Sequence, residues 1–322
     1  MKHFISFLLS ILMLASCAKK QEAMLSVADA KTAADSLALH VALMPTLGCL
    51  PAYYAQLTGI TDSLNLDVRL LRYSSQMDID TAIAKRYADI AYTDIIRAIR
   101  LSDSVSLTSV MTVDEPLTLV APKGKRISKI KQMNEKMIAI CRLCATDYWC
   151  EKMLDSAKIS QDSVYRPQIN DVKLRGKMLC TGLLEGAMLE EPYASWAMME
   201  GNKKLAKIQG KSFQFAVWVI PDSLQKDNRK VEQVRKFISA YQTAVENINK
   251  GLYADSLRSL FIKEYEMPHS IADSLQLTPI RQPFLTQKKD VEEAINWLSG
   301  RGVKREKFNP DAFINTTLFN KQ

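Results

Sequence analysis

His40-Val-Ala-Leu-Met44, closed by Pro45, and Leu66-Asp-Val-Arg-Leu-Leu71 are two apolar runs on either side of a stretch with helical spacing. The first reads as a buried strand. In the second, Val68 and Leu70 share one face while Asp67 and Arg69 share the other, the two-residue period of a strand. Between them, Cys49 to Thr58 has a helix's spacing and stops at Gly59. Strand, helix, strand is the smallest unit of an α/β fold, and the same alternation continues along the chain. Ile79, Ile83 and Tyr87 step by four, as on a helix. Asp89-Ile-Ala-Tyr92, Val110-Met-Thr-Val113 and Leu117-Thr-Leu-Val120 read as strands, and Pro122 and Gly124 then break the pattern.

A second series starts with Met137-Ile-Ala-Ile140, a helix from about Asp147, and Ala187-Met-Leu189. Phe213 to Ile220 is an apolar strand closed by Pro221. The clearest helix follows it: Val231, Val234, Ile238, Tyr241, Val245 and Ile248 step by three and four, with Asp227 or Asn228 as cap and Gly251 just past the end. The remainder is mostly helical and includes Val291, Ala294, Ile295 and Leu298. Two βα series in one chain predict two lobes, each a mainly parallel sheet flanked by helices.

Composition agrees with a globular chain. Of 322 residues, 47% are hydrophobic and 24% charged, which excludes a largely disordered polypeptide. The 43 basic and 35 acidic side chains leave a net charge of +8, and no run of five basic residues occurs, so nucleic acid is not an expected partner. Met1-Lys2-His3 is a short basic start, and Phe4 to Leu14 is apolar except for Ser6 and Ser10. Such a run is too short to span a bilayer, which takes about twenty residues. It leads into Leu14-Ala15-Ser16-Cys17, similar to the bacterial lipoprotein signal. That likeness implies cleavage after residue 16, diacylglycerol on Cys17, a flexible tether over 17–37, and a chain held to the cell-envelope membrane on its periplasmic side.

Gly182-Leu-Leu-Glu185-Gly186-Ala-Met-Leu-Glu190-Glu191-Pro192-Tyr193 carries a family resemblance. Its glycine, its apolar run and its Glu-Pro stand in the register found in type II periplasmic substrate-binding proteins of ABC importers, in the taurine, alkanesulfonate, nitrate and thiamine-pyrimidine group. Asp89-Ile-Ala-Tyr-Thr-Asp94 is similar to the sister motif of the first lobe. Pro45, Ala52-Tyr-Tyr-Ala55, Leu66-Asp-Val68, the long C-terminal helix and Ile295-Asn-Trp297 extend the likeness over roughly residues 38 to 318. Arg86 replaces a usual glycine, Glu185-Gly186 a common Asp-Ala, and Asn134-Glu135-Lys136 a turn that is often Lys-Gly-Lys. The resemblance implies a two-lobed α/β fold, with residues 38–116 and 216–322 as lobe 1, residues 117–215 as lobe 2, and crossings near 115–121 and 213–219. It implies a monomer that binds a small anionic or heteroaromatic solute by hinge closure and passes it to an inner-membrane permease, with no cofactor and no catalytic step.

Ligands of open α/β sheets lie beyond the C-terminal ends of the strands. The expected contacts are therefore Pro45, Thr46, Leu47 and Gly48, then Thr93 and Asp94, then Arg142 and Thr146, then Glu191 and Tyr193. Segments that open helices, after Pro45 and around Thr146, offer free N–H groups to an anion. Arg142 is the cation of these loops and is expected to pair with it. Glu191-Pro192-Tyr193 reads equally as a structural turn, and Tyr148, Trp149 and Trp196 as core.

Five cysteines follow Cys17: Cys49, Cys141, Cys144, Cys150 and Cys180. Local disulfides or buried thiols, a cross-lobe disulfide, and a soft-metal site using Cys49, Cys141, Cys144 and Cys150 are all compatible with the spacing. The last of these connects to a second functional class, because the eukaryotic pyrimidine synthase of thiamine biosynthesis resembles this chain in fold and has a cysteine-rich segment with iron. Chorismate dehydratase-like enzymes share the fold, and a surface adhesion lipoprotein is a third class. No Ser-His-Asp set, phosphate loop or His-Glu-x-x-His helix supports a hydrolase.

Overall fold

In the computed structural model, residues 37–208, 213–305 and 308–319 are described. The signal segment, Cys17 and all but the last residue of the tether lie outside them. Chain order runs β1 (Leu39–Leu43), α1 (Leu50–Leu57), β2 (Val68–Arg72), α2 (Gln76–Ala84), β3 (Ile90–Asp94), α3 (Ile95–Leu101) and β4 (Leu107–Thr112). It continues with β5 (Leu117–Ala121), β6 (Ile138–Ala139), α4 (Ala145–Ser156), α5 (Val172–Cys180), β7 (Gly186–Glu190), α6 (Tyr193–Met199) and β8 (Lys203–Ile208). The last part is β9 (Ala216–Pro221), α7 (Asn228–Asn249), α8 (Ala254–Lys263) and α9 (Lys288–Gly300), with single helical turns between some of these elements.

The strands form two sheets, ordered β2-β1-β3-β9-β4 and β6-β7-β5-β8. The chain leaves the first sheet between β4 and β5, through residues 113–116, and returns between β8 and β9. Each return inserts an antiparallel neighbour. The β1–β2, β1–β3 and β6–β7 pairs are parallel, whereas β3–β9, β4–β9, β5–β7 and β5–β8 are antiparallel. Each sheet is thus mainly parallel, as the βα alternation predicts, and mixed by one strand: β9 runs against β2, β1, β3 and β4, and β5 runs against β6, β7 and β8. The reason lies in the two crossings: a strand that enters from the other sheet is free of the right-handed βαβ connection that makes neighbours parallel.

Most strand residues are buried on both faces, as in β3, β4, β5 and β9, which accounts for their near-continuous apolar runs. The exceptions are β2, where Arg69 and Arg72 face outward, and the edge strand β8, none of whose residues is buried. The long helix α7 is capped by Asp227, whose carboxylate accepts from the N–H groups of Arg229 and Lys230. It buries Val234, Phe237, Ile238, Tyr241, Val245 and Ile248 against the first sheet and α1, and Trp218 of β9 packs edge-on to Phe237 and Tyr241. Burial of an apolar face this long contributes more than helical propensity does. Among the described residues no helix is long and apolar enough to cross a membrane.

Candidate functional site

Four strand ends meet where the two sheets face each other. Met44 and Thr46 follow β1, Thr93 and Asp94 end β3, Glu190 ends β7, and Cys141 to Cys144 link β6 to α4. Together with Glu115 of the first crossing and Phe215 before β9, they line a cavity of about 30 Å³. That volume holds one or two water molecules, so a larger ligand requires the sheets to separate. A surface cavity of about 600 Å³ beside Asp222, Arg305 and Phe313 shares no lining residue with it. Convergence of polar groups, not size, singles out the smaller one.

Glu115 organises the first-sheet side. Its Oε2 accepts from the Gly48 N–H and from the Tyr92 hydroxyl, both at 2.8 Å. Burial pushes its carboxyl up to about 8, against the pull of those two donors. Its Oε1 makes no hydrogen bond, and neither do the buried hydroxyls of Thr46 and Thr93. The Oε1 of Gln76, a fourth lining residue, is buried and unpaired as well. Buried polar atoms are almost always paired in proteins, so four unpaired ones around a single cavity mark where a ligand's polar groups would go.

Asp94 ties the two sides together. Its Oδ1 caps α3 by accepting from the Arg97 N–H at 2.9 Å, and its Oδ2 accepts from the Ala145 N–H, at the start of α4, at 3.3 Å. Burial raises its carboxyl to about 6 in spite of Arg97 and these two N–H groups. Two buried guanidiniums stand close by. Arg97 pairs with Asp80 and has Nη1 3.7 Å from Cys141 Sγ. Arg175 pairs with Glu190 and donates to the Ile169 carbonyl at 2.8 Å. Thr146 Oγ1 accepts from the Cys141 N–H at 2.9 Å and lies 3.0 Å from the Cys141 carbonyl, which closes the turn before α4.

Of the residues expected from sequence, Thr46, Thr93, Asp94 and Thr146 line the cavity. Pro45, half-buried, stands beside it. Leu47 and Gly48 serve the frame: the Leu47 N–H donates to the Glu191 carbonyl at 2.8 Å, and the Gly48 N–H is held by Glu115. Glu191 accepts from the Ser195 N–H at 3.0 Å and pairs with Lys207, while the Tyr193 hydroxyl donates to the Tyr265 carbonyl at 3.1 Å. Arg142 is exposed and reaches the Arg166 carbonyl at 3.3 Å. The structure therefore takes Arg142 out of the cavity: its side chain turns to solvent and to Arg166, whereas Cys141 and Cys144 on either side of it face inward.

The cysteines do not assemble into the four-thiol set. Cys49 is buried with its sulfur accepting from the Met44 N–H at 3.4 Å, Cys150 lies within α4, and only Cys141 and Cys144 reach the cavity. Among the described residues no group of three His, Cys, Asp or Glu side chains is placed to hold a metal ion. Glu115, Tyr92, Arg97 and Arg175 are missing from the sequence-based selection. For Glu115 a signal was present: an acid followed by Pro116, inside the segment already read as a crossing. Arg97 and Arg175 sit mid-helix, and nothing in their spacing sets them apart from surface cations.

Residues 48–250 match the family model described as NMT1/THI5 like. The chain belongs to the NMT1/THI5-like family. That is the group whose motifs the region around Glu190-Glu191-Pro192 resembles. No curated protein matches the chain significantly. Among solved structures, this NMT1/THI5-like chain is similar to a ligand-binding component of an ABC-type import system from Staphylococcus aureus, solved with zinc bound. The TM-score is 0.71 and the identity 12%, over 88% of this chain and 98% of the other. It is also similar to the periplasmic aliphatic sulphonate binding protein SsuA of Escherichia coli, at TM-score 0.68 and 12% identity over 88% and 93% of the two chains. The desulfurization enzyme DSZB aligns at TM-score 0.62 and 12% identity over 88% and 97%. At such identities the likeness is one of fold, and the fold hosts binding proteins and an enzyme alike.

Proposed function

We propose that this protein is the substrate-binding component of an ABC importer, lipid-anchored through Cys17 on the periplasmic side of the envelope and acting as a monomer. Residues 38–116 and 216–322 form one lobe and 117–215 the other, and the lobes close on a small solute that is then handed to an inner-membrane permease. No catalytic step is assigned. The observation that carries this reading is the set of unpaired buried oxygens, Thr46 Oγ1, Gln76 Oε1, Thr93 Oγ1 and Glu115 Oε1, around one cavity between the sheets. The neighbouring folds of ABC-type binding proteins support it.

Between the two solute classes that the sequence suggests, the cavity favours the heteroaromatic one. Arg97 and Arg175 are already neutralised by Asp80 and Glu190, and Arg142 faces away, so a free oxyanion would meet no unpaired cation there. A heterocycle carrying both N–H donors and ring-nitrogen acceptors matches the hydroxyls of Thr46 and Thr93 and the Glu115 carboxyl. The test is thermal unfolding of the full chain with thiamine pyrimidines, taurine, alkanesulfonates, nitrate and divalent metals. A solute at a hundred times its dissociation constant stabilises by about 2.7 kcal/mol. A shift with a pyrimidine that Thr93→Val abolishes is the expected result. A shift only with a sulfonate or nitrate reverses the preference, and no shift with any organic solute overturns the reading.

A further inference from the structure

Cys141 and Cys144 stand apart from the other thiols in two ways. Only two residues separate them, and both line the cavity between the sheets. The turn through Leu143, in the left-handed region at φ 50°, folds the chain back so that the Cys144 sulfur lies 2.9 Å from the Cys141 carbonyl oxygen and 3.2 Å from Thr146 Oγ1. Cys144 is the residue from which α4 starts, and the Leu143 N–H is fixed by Asp147 Oδ2 at 3.0 Å. On the opposite side, Arg97 Nη1 approaches Cys141 Sγ to 3.7 Å. A thiol beside a guanidinium and a second thiol, at the mouth of a helix N-terminus, has the surroundings of a nucleophilic thiolate.

We propose that Cys141 and Cys144 form an exchange-active dithiol, which reacts with a small-molecule disulfide when the sheets separate and closes a Cys141–Cys144 bond within the ligand cavity. The Cys141 thiolate attacks one sulfur of the disulfide; that S–S bond breaks, a Cys141 mixed disulfide forms, and one thiolate leaves. The Cys144 thiol gives up its proton and attacks Cys141 Sγ, and the second thiolate leaves and takes up a proton. Two protein thiols are oxidised by two electrons, and one disulfide is reduced to two thiols.

The direction of attack follows from the surroundings. A hydrogen bond with Cys144 holds the Cys141 thiol below its ordinary range despite burial, and Arg97 and Arg175 act in the same direction while Asp94 opposes them. Burial, and then the hydrogen bond with Cys141, raise Cys144, the group that attacks second. Burial also raises Cys49, and it takes Cys150 up to about 12, so neither competes as a nucleophile.

The experiment equilibrates the full chain with oxidised and reduced glutathione over a range of ratios. Remaining thiols are then blocked with N-ethylmaleimide, and tryptic peptides are read by mass spectrometry. Trypsin cuts after Arg142, between the two cysteines, so a Cys141–Cys144 bond appears as peptides 137–142 and 143–152 held together. Fragmentation of the second peptide separates Cys144 from Cys150. The expected result is that linked pair at the oxidising end, with the bond on Cys144. In addition, Cys144→Ser should accumulate glutathione on Cys141, whereas Cys141→Ser should not accumulate it on Cys144. Both peptides recovered apart with blocked thiols, or Cys141 joined to Cys150, overturns the proposal. The unsubstituted chain decides this even if a variant fails to fold.

Discussion

Asp94 accepts the Ala145 N–H at 3.3 Å, so a carboxylate at the end of β3 sits on the N-terminus of α4, a helix that packs with the other sheet. The same carboxylate caps its own helix through Arg97. One side chain thus closes two helix N-termini, at the place where an anionic ligand would otherwise be received. Asp94→Asn keeps one acceptor for the α3 cap and loses the other. Amide hydrogen exchange at residues 145–148 should then speed up by about tenfold, the equivalent of one lost hydrogen bond of about 1–1.5 kcal/mol. Unchanged protection would mean that this bond does not hold the two sides together.

Glu115 and Asp94 give the protein a pH signature. Their carboxyls hold protons to about 8 and about 6, above ordinary values of 4.5 and 3.8. Between about pH 4 and pH 8 the native chain therefore binds more protons than the unfolded one, and its stability falls as pH rises through that window. Thermal unfolding should give a higher midpoint at pH 5 than at pH 8. Glu115→Gln, which keeps an acceptor for Gly48 and Tyr92 but carries no charge, should remove most of the slope between pH 6 and pH 8, on the order of 2–4 kcal/mol. An equal slope in the variant would assign the effect to other groups.

Gly48 is a position where only hydrogen fits. A Cβ there would stand 2.7 Å from Tyr92 Cε2 and 3.0 Å from Glu115 Oε2, both buried and hydrogen-bonded to each other. Gly48→Ala should destabilise by about 1–3 kcal/mol, the usual effect of overpacking. Chemical denaturation measures it. A neutral result would show that the Tyr92 ring moves aside freely.

The two classes of arginine should separate cleanly. Arg142→Ala removes an exposed side chain and should change stability by less than about 0.5 kcal/mol, with solute affinity unaffected. Arg175→Met strips the partner from Glu190 in a buried setting and should cost about 3–5 kcal/mol, much of it recovered by adding Glu190→Gln. Loss of solute binding in Arg142→Ala would restore that residue to the site.

Much of the fold was legible because its signals are local. The period of two in β2, the three-and-four spacing of α7 with Asp227 before it and Gly251 after it, and the breaks at Pro45 and Pro221 all lie within a few residues of the element they define. The loops after the strands were legible for a related reason: in an α/β chain the site lies at strand ends, and strand ends can be counted. Thr46, Thr93, Asp94 and Thr146 were found that way.

Sequence by itself determined the order of the elements, the family, and which loops surround the cavity, because periodicity and capping act along the chain. Tertiary structure alone decided which side chains of those loops turn inward. Arg142 faces out while its neighbour Cys141 faces in, and Arg97 comes to the site from a helix whose spacing does not set it apart. Orientation depends on partners such as Gly48 and Asp80, distant in sequence from Glu115 and Arg97. The same is true of strand direction, since the antiparallel neighbours in both sheets follow from two crossings whose effect appears only when the sheets are paired.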